Sequence, residues 1–190
     1  MNKKALDTYS LVRRGADMKK FSILSAIFII VLGTILHFTY DWSGNNLIVG
    51  AFSAINESTW EHLKLLFFPT LITVIVGYFY FGKSVPNFLC GKVLEVITSM
   101  VFTVVVYYTY TGVLGSDIAF VNILIFILAA IVGEVVNYVI ITSGFSCNKK
   151  VAMGVLVMLG VMFVCFTYNA PEIGIFKDPI TGGYGISRGK

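Results

Sequence analysis

Six side chains near two predicted helix ends have types and spacings suited to joint chemistry. His37 and His62 are the only histidines in the chain. Asp41 follows His37 by four residues, which places both on one helix face, and Glu57, Glu61 and Lys64 are spaced to share a face of the helix that carries His62. Neutral imidazole and carboxylate oxygens are the usual ligands of zinc and similar divalent ions, so His37, Asp41, Glu57 and His62 form a candidate metal set. A divalent metal ion is the cofactor this set would hold, and its bound water could be activated for hydrolysis with a free carboxylate as base. The His-Glu-x-x-His pattern is absent, because Glu61-His62 lacks a second histidine. The same groups could instead form a mouth for a cation or small polar solute, with histidines changing charge between about pH 5 and 8.

Plain structural roles account for part of this cluster. Ser58-Thr59-Trp60-Glu61 matches the Ser-x-x-Glu capping box, in which Ser58 and Glu61 satisfy backbone donors at a helix start. Lys64 can snorkel towards water or pair with Glu57 or Glu61. Tyr168, Asn169 and Glu172 join the same level from a later helix end.

The elements that position these residues follow from composition. The chain has 190 residues, 57% hydrophobic and only 13% charged, with a mean hydropathy of +0.85. A soluble domain carries about 25% charged residues, so an integral membrane protein is indicated. Crossing a hydrocarbon core of about 30 Å takes roughly 20 helical residues. Five stretches qualify, at about 21–40, 58–81, 87–110, 118–143 and 151–168. No stretch alternates as barrel strands do. The expected fold is an all-α polytopic transmembrane bundle of five helices, forming one integral membrane domain over 1–190 with an outer tail at 169–190. The nine uncharged residues Leu47 to Ile55, between the first two spans, are too short to cross and read as a segment that lies along the outer membrane interface or dips slightly into it.

Positive residues near span ends stay on the cytoplasmic side. Lys3, Lys4, Arg13, Arg14, Lys19, Lys20, Lys83, Lys92, Lys149 and Lys150 fall on one side, whereas Lys64, Lys177, Arg188 and Lys190 do not. This places the N-terminus inside and the C-terminus outside. The net charge of +4 is thus a topology signal, with weak attraction to anionic lipid, and a nucleic-acid partner is excluded. The bilayer is the expected partner, and the oligomeric state is open. Tyr40, Trp42, Trp60, Tyr107, Tyr108, Tyr110 and Tyr168 would line the outer rim, and Tyr78 and Tyr80 the inner one. The first span is too long for a cleavable signal peptide and lacks a small-residue cleavage pattern. Cys90 and Cys147 lie on the reducing side of this topology and Cys165 lies within a span, so no disulfide framework or paired zinc motif is expected.

A second polar layer lies nearer the cytoplasm. Glu95, Glu134 and Asn137 have comparable depths, and Glu95 could face Glu134 or pair with Lys92 one turn back. Such a layer would suit a proton or ion path. It would equally suit interhelical hydrogen bonds beside the small residues Ala129 and Gly133. Pro69 is expected to kink the second span. Pro171 ends the fifth span, and the apolar, turn-rich tail after it reads as an ordered flap over the outer mouth, with disorder only in its last few residues.

Two segments carry a resemblance. Asn56-Glu57-Ser58-Thr59-Trp60-Glu61-His62-Leu63-Lys64 and Asp178-Pro179-Ile180-Thr181-Gly182-Gly183-Tyr184-Gly185-Ile186 resemble signature motifs of an uncharacterised family of small bacterial integral membrane proteins. The resemblance implies a bacterial plasma-membrane setting and picks out Asn56, Glu57, Trp60, Glu61, His62 and Lys64. It implies no activity. Three functions stay open: ion or small-ligand binding with transport, which needs the inner layer too; metal-dependent hydrolysis at the outer leaflet; and a structural or sensor role.

Overall fold

The computed structural model describes residues 3–186 except Lys83 and Ser146, with side chains described from Gly15 onward. Expectations resting on Lys83, Arg188 and Lys190, on the side chains of Lys3, Lys4, Arg13 and Arg14, and on disorder after residue 186 lie outside the described residues. Helices α1 (Lys3–Trp42), α2 (Leu47–Gly50), α3 (Thr59–Phe81), α4 (Phe88–Leu114), α5 (Ala119–Thr142) and α6 (Lys149–Tyr168) precede one 3-10 turn at Gly174–Phe176. Among the described residues, five of these helices are long and apolar enough to cross a membrane, the first from Gly15 to Trp42. The chain is therefore a multi-pass, all-helical integral membrane protein. Large apolar side chains such as Val113, Ile123 and Val157 face outward, as a surface bathed in lipid allows.

Local chemistry sets the helix ends. Ser58 caps α3 by accepting the Glu61 N–H, and Gly115 ends α4 in the left-handed region at φ 72°. Asn46 caps the short α2, whose Leu47 and Ile48 are exposed while Gly50, Ala51, Ser53 and Ala54 tuck into the bundle. The segment expected along the interface is thus partly folded inward on its small-residue side.

Small residues decide where helices meet. In a bilayer, close packing and interhelical hydrogen bonds replace hydrophobic drive. α4 and α5 share the most extensive interface. Gly133 of α5 has no room for a Cβ against Ser99 and the Glu95 carbonyl, and Ser99 donates to the Ala129 carbonyl at 2.9 Å. On α1, a Cβ at Gly33 would stand 2.5 Å from the Leu65 carbonyl oxygen and 2.6 Å from the Phe126 ring. Gly33 therefore lets α1, α3 and α5 pinch together at one level. Pro69 supplies no N–H to that same Leu65 carbonyl four residues earlier, which turns towards α1 instead. α3 nevertheless runs unbroken from Thr59 to Phe81 around Pro69.

The structure corrects three expectations. Trp60 is buried against Phe163, Phe166 and Phe176, so it anchors α3 to α6 and the tail and does not sit on the rim. Lys92 is fully buried among carboxylates, so it carries no topology signal. Cys90 and Cys147, 57 residues apart, are joined in a disulfide with a Cα–Cα distance of 6.2 Å, tying α4 to the segment before α6. Their separation in sequence hid this contact, and it stands against the absence of disulfides that a reducing-side location implies.

Candidate functional site

The expected polar cluster divides into an open part and a sealed part. Glu57 precedes the first turn of α3, so helical spacing does not bind it to Glu61 and Lys64. It turns instead towards the two histidines. Glu57 Oε2 lies 3.4 Å from His62 Nε2, and its Oε1 lies 3.8 Å from His37 Nε2. The two imidazole rings stand 5.2 Å apart between centroids. One ligand atom from each of His37, Glu57 and His62 lies within 4.8 Å of the others, a spacing open to a single metal ion. Asp41 is exposed at the last turn of α1, one turn beyond His37, and is not among them.

The tautomer of His62 follows from its neighbours. His62 Nδ1 sits 3.0 Å from the Ser58 carbonyl oxygen, which can only accept, so Nδ1 donates. Nε2 then faces a carboxylate oxygen of Glu57. Two acceptors at 3.4 Å need a positive charge between them or a proton on Nε2. Holding a ligating histidine by its second ring nitrogen on a backbone carbonyl is the usual way a metal site orients its ligands. His37 Nδ1 is buried without a hydrogen-bond partner.

The sealed part is structural in character. Lys64 is fully buried and spends its three protons on Glu61 at 2.5 Å, the Gly50 carbonyl at 2.8 Å and Thr167 Oγ1 at 2.9 Å. Glu61 also accepts the Ile55 N–H at 3.1 Å, so the capping box is only half formed: Ser58 receives the Glu61 N–H, but Glu61 turns to Ile55. The Ser58 N–H is taken by Asn56, whose amide also donates to the Gly185 carbonyl at 3.1 Å and so pins the tail. Glu172 is exposed and is neither among the residues lining the cavity nor in the His37, Glu57 and His62 group.

A cavity of about 480 Å³ opens beneath His37, Glu57 and His62. Its floor is the pinch at Gly33, Leu65 and Phe126, about one helical turn below His37. Thr103 and Tyr107 of α4 and Asn122 of α5 line its sides together with Asp117, and Pro179 and Ile180 from the tail cover it. The tail is held in that position by its own chemistry. Asp178 accepts the Ile180 N–H at 3.0 Å and the Thr181 hydroxyl at 2.5 Å, Lys177 bridges to Tyr184, and Gly182 takes the left-handed φ of 73° that the turn requires. Sequence reasoning did not single out Thr167 or Asn122 and gave Tyr107 only a place on the outer rim; a polar residue on an otherwise apolar span is the signal that marks each.

The inner layer lies outside this cavity. Lys92 reaches Glu95 at 2.8 Å and Glu134 at 2.6 Å, and Asn137 donates to Glu134 at 2.8 Å. All four side chains are buried. Both arrangements foreseen for Glu95 thus occur around one ammonium group.

The bundle and its polar pocket define a multi-pass helical membrane protein with a solvent-reaching cleft at the tail end. Residues 11–186 match a family of unknown function, DUF6512, and the chain belongs to that family. No curated protein and no solved structure matches it.

Proposed function

We propose that this protein binds a divalent cation of the zinc class through His37, Glu57 and His62, at the pocket on the tail end of its membrane bundle. The observation that carries this reading is the convergence of two histidine Nε2 atoms on the two oxygens of one carboxylate, with His62 Nδ1 already committed to Ser58. Two imidazolium ions with rings 5.2 Å apart would repel, whereas one divalent ion can be shared by both Nε2 atoms and the carboxylate. Three protein ligands leave a fourth position for water or substrate, the pattern of a catalytic zinc site. Such an ion would lower the pKa of its water and make it a nucleophile, so metal-assisted hydrolysis at the membrane surface is the chemistry this pocket favours. Asp117, the other carboxylate on the cavity wall, is the available base.

Transport is less well supported. The cavity ends on apolar side chains at the Gly33 pinch, and the inner carboxylates already share Lys92. Titration of metal-free protein with Co²⁺, followed by visible absorption, tests the proposal. Wild type should give a saturable spectrum at one ion per chain, Glu57→Gln and His62→Ala should lose it, and Glu134→Gln should keep it. A wild-type spectrum matched by both site variants would overturn the assignment.

A further inference from the structure

The cavity is larger and more apolar than an ion requires. A zinc-type ion needs four ligands at about 2 Å, but about 480 Å³ is the size of pocket that encloses an organic ligand, about 300–1,000 Å³. Below the level of the histidines, Leu65, Leu66, Ile125 and Phe126 leave water few partners, and spaces lined in this way are better filled by hydrocarbon.

The cavity also takes part of its lining from two long helices, α1 and α5. Phe38 of α1 and Ile123 of α5 both line it, and they are 45% and 58% exposed. Both helices are long and apolar enough to span a membrane, so the pocket they line lies next to lipid. α1 and α5 touch closely at Gly33 and Phe126, and Phe38 and Ile123 stand on the tail side of that contact. The two helices therefore meet tightly below the pocket, and the pocket lies between them on the tail side of that contact. A divalent ion with one carboxylate among its ligands retains positive charge and an open position, which favours an anionic oxygen over an ammonium group.

We infer that the pocket takes a single-chain amphiphile from the bilayer. Its anionic oxygen head sits on the ion held by His37, Glu57 and His62, and its hydrocarbon chain lies between α1 and α5 above the Gly33 pinch. This rests on the divalent-cation reading of the site and adds the substrate class and its route of entry.

The experiment uses the full chain in lipid nanodiscs, loaded with Co²⁺, with dodecyl phosphate, inorganic phosphate and dodecanol as probes and the cobalt spectrum as readout. Dodecyl phosphate should shift the spectrum with an apparent Kd at least about tenfold below that of inorganic phosphate, the gain expected from burying two methylene groups. Dodecanol should leave the spectrum unchanged. Ile123→Trp, at an exposed position the fold can spare, should retain Co²⁺ and the response to inorganic phosphate but lose the gain from the chain. Equal affinity for the two phosphates, or a gain undiminished in Ile123→Trp, overturns the amphiphile inference while leaving the metal site intact. A wild-type chain with no cobalt spectrum removes the metal reading itself, and this inference with it.

Discussion

Replacing Lys92 with methionine should be among the most damaging single changes in the molecule. Its ammonium lies 2.8 Å from Glu95 and 2.6 Å from Glu134, and all three side chains are buried. Among the described residues Lys92 is the one cation paired with Glu95, so its loss leaves that carboxylate without a counter-charge. Removing one partner from a buried ion pair costs about 3–5 kcal/mol, because the remaining charge is stranded in a low dielectric. For a chain of this length each kcal/mol moves the melting temperature by roughly 2–4 °C, so Lys92→Met should lower it by about 6–20 °C. The compensating variant Lys92→Met/Glu95→Met/Glu134→Gln removes the stranded charges and keeps an acceptor for Asn137. It should recover most of the loss, since replacing a whole buried ion group by apolar residues is often nearly neutral. The assay is thermal unfolding of detergent-purified protein followed by tryptophan fluorescence. A single variant melting within about 2 °C of wild type, or a triple variant no more stable than the single one, would refute the reasoning.

Other outcomes follow from the same geometry. Gly133→Leu should prevent close α4–α5 packing, since even a Cβ there meets Ser99 and the Glu95 carbonyl, and yield of folded protein on size-exclusion chromatography should collapse; a normal monodisperse peak would contradict the packing. Thr167→Val leaves Lys64 one acceptor short, which should cost about 1–3 kcal/mol, and Thr167→Ser should restore it; equal melting of the two variants would contradict the role given to the hydroxyl. Protein denatured without reductant should show one reactive thiol, Cys165, and three after reduction; three thiols in both samples would contradict the Cys90–Cys147 bond.

Much of the architecture was legible because bilayer thickness acts on run length alone. The expected spans at 58–81, 118–143 and 151–168 agree closely with α3, α5 and α6, while α1 begins well before its apolar run and α4 extends to Leu114. Depth placed His37, Glu57 and His62 at one level. Helical phase was the missing coordinate. Glu61 and His62 are consecutive and point about 100° apart, so one turns inward to Lys64 and the other turns to the cavity. Glu57 escapes the i, i+4 rule because it lies before the helix starts. Lys92 was misread because counting positive charges by side cannot tell a solvated lysine from one buried between carboxylates. Pro179 and Ile180 cover the pocket through a turn whose docking depends on Asn56 and Trp60, far away in sequence.

The most direct test of the central claim is the metal content of detergent-purified protein by mass spectrometry, with wild type and the His37→Ala/His62→Ala double variant prepared in parallel without chelator. The geometry predicts close to one divalent ion per wild-type chain, lost in the double variant with the fold retained. Wild-type protein free of metal, or an ion retained when both imidazoles are gone, would contradict the assignment of His37, Glu57 and His62 as a metal site.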